Sequence, residues 1–131
     1  MSTSPVFHNL WPTTIMSVIL PGSEMANQVL SEFINELDDE RSDLTTQYLD
    51  QEFLEIDHPV IKWLSDCFRK ATFDYTKNAG IKYDVDFHIQ AWPNINRFGD
   101  YHNLHNHPHS WLSGTYSVSY THLTLPTTWS V

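Results

Sequence analysis

The sequence predicts an α+β fold in which an N-terminal strand and two amphipathic helices lead into further strands. Three observations carry this reading. Apolar residues recur at three- and four-residue spacing in two separate stretches, which is the period of a helix face. Residues 83–91 alternate strictly between apolar and polar, which is the period of a half-buried strand. Between these stretches, Pro21-Gly22, Gly80 and Gly99-Asp100 mark turns.

In chain order, residues 13–20 are β-branched and apolar and end at Pro21-Gly22, so they read as a strand followed by a turn. Ser23 can cap a helix over 24–37, with Glu24 favourable in its first turn. Met25, Val29, Phe33 and Leu37, with Leu30 and Ile34 beside them, give that helix one apolar face. Asp38, Asp39 and Glu40 are poorly suited to the negative end of a helix dipole and are expected at or beyond its end. Residues 38–55 are polar and aperiodic and read as a loop with at most one short element. A second helix is expected from Pro59, a residue well tolerated in the first helical position. Its stripe is Ile61, Leu64, Phe68, Ala71 and Tyr75, and Gly80 is its expected left-handed stop. Tyr83, Val85, Phe87, Ile89 and Ala91 then alternate with Asp84, Asp86, His88 and Gln90, the most regular strand pattern in the chain. Residues 94–98 read as another strand before the turn at Gly99-Asp100.

A chain of 131 residues with five Trp, six Tyr and seven Phe can bury one ordinary core. Sixteen acidic against seven basic residues give a net charge of −9. That balance argues against nonspecific binding to nucleic acid or to an anionic membrane, both of which favour a basic surface. No apolar run approaches the length of about 20 residues that spans a bilayer. The start of the sequence has neither the charged nor the apolar region of a signal peptide. Cys67 is the single cysteine, so no intrachain disulfide can form and a reducing cytoplasm is the expected compartment. Cys67 falls beside the apolar stripe of the second helix and reads as a buried, inert thiol. Four glycines form no phosphate-binding or dinucleotide-binding loop, and Ser113-Gly114 lacks the context of a nucleophile elbow. Trp63, Phe68, Tyr75, Phe87, Trp92 and Trp111 read as core aromatics.

The chemistry-bearing segment is His102-Asn103-Leu104-His105-Asn106-His107-Pro108-His109, which holds half of the eight histidines. Neutral imidazole is the commonest protein ligand for borderline metals. In an extended chain His105 and His107 point to one face, because side chains repeat every two residues. The pair therefore reads either as two ligands of one metal ion or as part of a solvated polar loop. Two imidazoles do not complete a site: zinc takes three or four protein ligands, and non-haem Fe(II) takes two His and one carboxylate. Asp100 is near in sequence but is expected in a turn. The isolated His8, His58 and His88 read as surface or hydrogen-bonded residues.

Trp92-Pro93-Asn94-Ile95-Asn96, Gly99 and the run from His105 to Tyr116 resemble a family of 2-oxoglutarate/Fe(II)-dependent oxygenases common in marine bacteria and their phages. Its pattern is approximately W-x-N-I followed by H-x-H-P-x-S-x-L-S-G-V-Y-Y-V, from which Thr115 and Ser117 depart. Trp11-Pro12-Thr13-Thr14-Ile15 is similar to the opening strand of the same family, so the resemblance covers residues 6–116. It implies a double-stranded β-helix, or jelly roll, with supporting helices before it. It also implies an Fe(II) centre that uses 2-oxoglutarate and O2, yielding succinate and CO2 as a C–H bond is hydroxylated. By position, His105 and His107 would be the first two metal ligands, and Ser113 and Tyr116 would line the cosubstrate pocket. Better-known relatives carry a carboxylate where His107 stands, which would leave one more positive charge at the metal here.

The resemblance also implies a third ligand and a basic partner for the far carboxylate of 2-oxoglutarate, both from later strands. About 24 residues follow His107, too few for those strands at roughly 5–6 residues each, and no Arg or Lys follows Arg97. The expectation is therefore an incomplete jelly roll: residues 1–116 form the front part of one oxygenase domain, inactive as it stands. Residues 117–131 look like a translated sequencing adapter, so His122 carries no functional weight. Two other readings remain. Gly99, His105 and His107 match the opening of a cupin motif, although Trp111 and Leu112 stand where its glutamate is expected. A non-enzymatic jelly-roll binding module is the other.

Overall fold

A computed structural model describes residues 13–40 and 52–118. The readings made above for His8, Trp11, Pro12, His122 and residues 119–131 lie outside them. Two helices, α1 (Ser23–Glu40) and α2 (Pro59–Asn78), pack together, with a single 3-10 turn at Phe53–Glu55 set against α2. Among the described residues there is no β-strand, and one isolated parallel bridge joins Glu52 to Ala91. The fold is helical, and the α+β class with an incomplete jelly roll is overturned by this absence of any ladder.

The turn before α1 forms as its residues dictate. Ser23 N–H donates to the Leu20 carbonyl at 3.2 Å, with Pro21 and Gly22 as the central residues and Gly22 at φ 78°. Proline followed by a residue with positive φ defines a type II turn. The Gly22 carbonyl accepts the first helical bond, from Ala26 N–H at 3.1 Å, so Ser23 lies inside α1 and not at its cap. The buried face of α1 also differs from the expected one. Leu30 is fully buried and Ala26, Phe33, Ile34 and Leu37 pack on the core, whereas Met25 is 79% exposed and Val29 43%. Periodicity names a stripe to within one residue, and the partner helix selects its centre. Asp38, Asp39 and Glu40 complete the last turn of α1. The nearly buried Asp38 carboxylate, at the negative end of the dipole, is paired with the Arg97 guanidinium. The hydrogen bond to Asp38, reinforced by its charge, holds the Arg97 pKa above its ordinary value.

α2 runs from Pro59, as expected. His58 caps it: His58 Nδ1 accepts a hydrogen bond from Val60 N–H at 3.2 Å, and the ring packs on Phe33 of α1 with centroids 4.7 Å apart. A nitrogen that accepts must carry its lone pair, so the neutral ring bears its proton on Nε2. Gly80, at φ 81°, stops the helix. Its N–H donates to the Lys77 carbonyl and that of Ile81 to Thr76, the paired bonds of a Schellman motif. His58→Ala should cost about 1–2 kcal/mol, because it removes both the cap and the ring contact. Urea unfolding of the variant checks this, and a loss no larger than that of the exposed Lys70→Ala would remove the capping role.

The core lies between the helices. Leu20, Leu30, Phe53, Val60, Ile61 and Leu64 are its buried members, and Ala91, Tyr116 and Val118 cover it from the non-helical part. The segments read as strands fail for one physical reason. A period of two decides which side chains share a face, but a strand also needs a partner backbone for its N–H and C=O groups. Residues 84–91 keep their alternation as burial: Val85, Phe87, Ile89 and Ala91 are half-buried, and Asp84, Asp86, His88 and Gln90 are exposed, whereas Tyr83, the first apolar member of the pattern, is 75% exposed. That apolar face meets α2, where Phe87 stacks edge-on to Phe73 at 5.1 Å and lies under the Arg69 guanidinium at 5.9 Å. Residues 13–20 leave Ile15 and Ile19 almost fully exposed. They are tied down at Leu20 and by the Tyr75 hydroxyl, which donates to the Thr14 carbonyl at 3.2 Å. Residues 94–98 likewise form no strand. No described helix is long and apolar enough to cross a membrane.

Candidate metal-binding segment

Two further turns frame the histidines. Asp100 N–H donates to the Arg97 carbonyl at 2.9 Å and Asp100 Oδ2 accepts from Arg97 N–H at 2.7 Å, with Gly99 at φ 92° between them. Asp100 is thereby committed to the turn, bonded to Arg97 through both its main chain and its side chain. The second turn follows His107, whose carbonyl accepts from Ser110 N–H at 3.2 Å. Pro108 is its first central residue and His109, at φ 68°, its second. His109 is the one non-glycine residue with positive φ among the described residues, in a position that favours Gly or Asn.

Between these turns the rings of His105 and His107 meet edge to face, with centroids 5.0 Å apart and planes at 80°. A metal bonded to an imidazole nitrogen at about 2.0–2.1 Å lies about 3.2 Å from that ring's centroid, so two rings on one ion stand about 4.5–5.2 Å apart. The observed 5.0 Å falls within that range. His105 Nδ1 is 2.7 Å from the Asn103 carbonyl oxygen. A carbonyl can only accept, so Nδ1 carries a proton, and in the neutral ring the lone pair is on Nε2. A backbone carbonyl behind the non-ligating nitrogen is the usual support of a metal-bound histidine. His107 is half-buried against Trp92, with centroids 5.8 Å apart, while His105 is exposed. His102 Nε2 stands 3.0 Å from Asn96 Oδ1, so His102 is engaged with a neighbouring amide.

The donor set stops at two. Among the described residues no group of three His, Cys, Asp or Glu side chains could hold a metal ion. The residues present thus fit two corners of an Fe(II) or zinc site and do not fit a complete one.

The expected cosubstrate residues lie elsewhere in the packing. Ser113 is exposed. Tyr116 is half-buried between the helices, edge-on to Trp63 and Phe68 at 6.3 Å each, and its hydroxyl donates to Asn27 Oδ1 at 2.5 Å. Burial, then the nearby Cys67 sulfur, raise the Tyr116 pKa against the opposing hydrogen bond to Asn27. Tyr116 thus ties the end of the described chain to α1 and α2. Cys67 is free, and burial followed by the Asp66 charge raises its pKa. That shift lowers the thiolate fraction and agrees with an inert thiol. The sequence did not single out Asn103, because a supporting backbone carbonyl has no side-chain signature, and it placed Trp92 among core aromatics and not beside a histidine.

These features define a small two-helix unit that displays a histidine pair on an irregular segment. No protein-family model, curated protein or solved structure matches this chain.

Proposed function

We propose that this chain carries the front part of a 2-oxoglutarate- and Fe(II)-dependent oxygenase, with His105 and His107 as its first two metal ligands. The observation that carries the proposal is the close approach of the two rings, 5.0 Å between centroids, with His105 Nδ1 held by the Asn103 carbonyl. The resemblance of the segment from Trp92 to Tyr116 supports the choice of reaction. Bound Fe(II) with 2-oxoglutarate and O2 supplies oxidative decarboxylation coupled to hydroxylation. The part of this chain is to fix two imidazoles and to shield His107 with Trp92. A reducing cytoplasm suits both ferrous iron and the free Cys67 thiol.

With two donors the 131-residue chain should bind Fe(II) weakly and should release no succinate from 2-oxoglutarate. Anaerobic Fe(II) titration followed by exposure to O2, with succinate as the readout, checks both statements. Turnover by the chain as given would show that it already holds a whole centre. Fe(II) binding that survives loss of both histidines would remove the proposal.

A further inference from the structure

His105 is exposed and His107 half-buried beside Trp92, and their rings stand 5.0 Å apart, within the range for two ligands of one ion. We propose that one zinc-class divalent cation joins two copies of this chain, each contributing His105 and His107. The inference shares with the oxygenase reading only the premise that the two rings chelate one ion, and it goes beyond that reading in naming what completes the coordination.

Four features of the segment lead to a second copy. First, zinc in a closed site takes four ligands, and two identical pairs related by a twofold axis supply four imidazoles with no other donor. Second, His105 is exposed and the neutral ring, with Nδ1 donating to Asn103, has its lone pair on Nε2, so a ligand from another molecule can reach the same ion. Third, Phe98, Tyr101, Leu104 and Trp111 flank the pair in sequence and are 108%, 79%, 97% and 62% exposed. Such a density of open apolar side chains marks a surface that gains by being covered. Fourth, each chain carries a net charge of −9, so two copies repel one another. A dication at the contact offsets that repulsion locally and makes the association depend on the cation. The twofold contact covers the same apolar residues on both sides, because an isologous interface uses one patch twice.

Sedimentation velocity of the full chain, with zinc chloride or a chelator, tests this. The chain should be monomeric in chelator and reach twice its mass at half an equivalent of zinc. Excess zinc should return it to monomer by loading each pair separately. Magnesium should do nothing, since it prefers oxygen ligands. His105→Ala and His107→Ala should remain monomeric at every zinc level with their helical circular dichroism intact, because both positions lie outside α1 and α2. Leu104→Ser should weaken the dimer and leave zinc uptake at one ion per chain in excess zinc. One zinc per monomeric chain at all ratios would overturn the bridging while leaving the chelating pair in place. No zinc uptake at all would overturn both. A dimer that persists in chelator or in the histidine variants would place the interface elsewhere.

Discussion

Leu30→Ala and Ile61→Ala should each lower stability by about 2–5 kcal/mol, enough to remove most of the folded population of a small domain. These are the two fully buried large side chains among the described residues, one on each helix, and they belong to the same buried cluster. Truncation removes the transfer free energy of the lost methyl groups and leaves a cavity that the neighbouring side chains fill only in part. Few other buried residues share the burden: the cluster has six buried apolar members, and much of the apolar surface of residues 13–19 and 98–111 faces solvent. The informative control is Met25→Ala on the same helix. Met25 belongs to the stripe that periodicity favours, yet it is 79% exposed, and its loss should cost less than about 0.5 kcal/mol. Urea unfolding followed by circular dichroism reads all three variants. Equal losses for Met25→Ala and Leu30→Ala would mean that α1 presents a different face to α2.

Loss of either imidazole should reduce divalent-metal affinity by about 100-fold or more, because the remaining ring no longer benefits from the effective concentration of its neighbour. The double variant should then be little worse than either single one, since a pair acting as one chelate is lost at the first truncation. His102→Ala and His109→Asn are the matched controls. His102 is engaged with Asn96, and His109 occupies the left-handed position of a turn that Asn tolerates, so neither change should weaken binding comparably. Isothermal titration with zinc or cobalt reads the series. Affinity should also fall as the solution is acidified, because a protonated imidazole has no lone pair to give. Affinity that tracks the total number of histidines, whichever ones are removed, would indicate a diffuse surface effect and no defined pair.

The chain divides according to whether a feature is local or needs a partner. The start of α2 at Pro59, its stop at Gly80 and the turns at Pro21-Gly22 and Gly99-Asp100 were legible in the sequence. Each depends on the dihedral preferences and side chains of adjoining residues, which a sequence states directly. The pairing of His105 with His107 was legible for the same reason, since two residues separated by one can share a face wherever the chain is not helical. The alternation read over 83–91 forms no strand, but from Asp84 to Ala91 it survives as alternating burial.

Only the tertiary structure decided what those faces meet. The apolar face of residues 84–91 meets α2 through Phe87, and the backbone there makes one isolated bridge, Ala91 to Glu52, so a strand pattern produced no sheet. The packing against α2 moved the buried line of α1 from Met25 and Val29 to Ala26 and Leu30. Arg97, 59 residues away in sequence, pairs with Asp38 within the last turn of α1, where the helix dipole alone disfavours an acid. Tyr116 met Asn27 across 89 residues and became a clamp on the helix pair. The physical reason is common to all four. Periodicity and turn chemistry are properties of a few adjoining residues, whereas pairing, burial and charge compensation belong to residues that only the folded chain brings together.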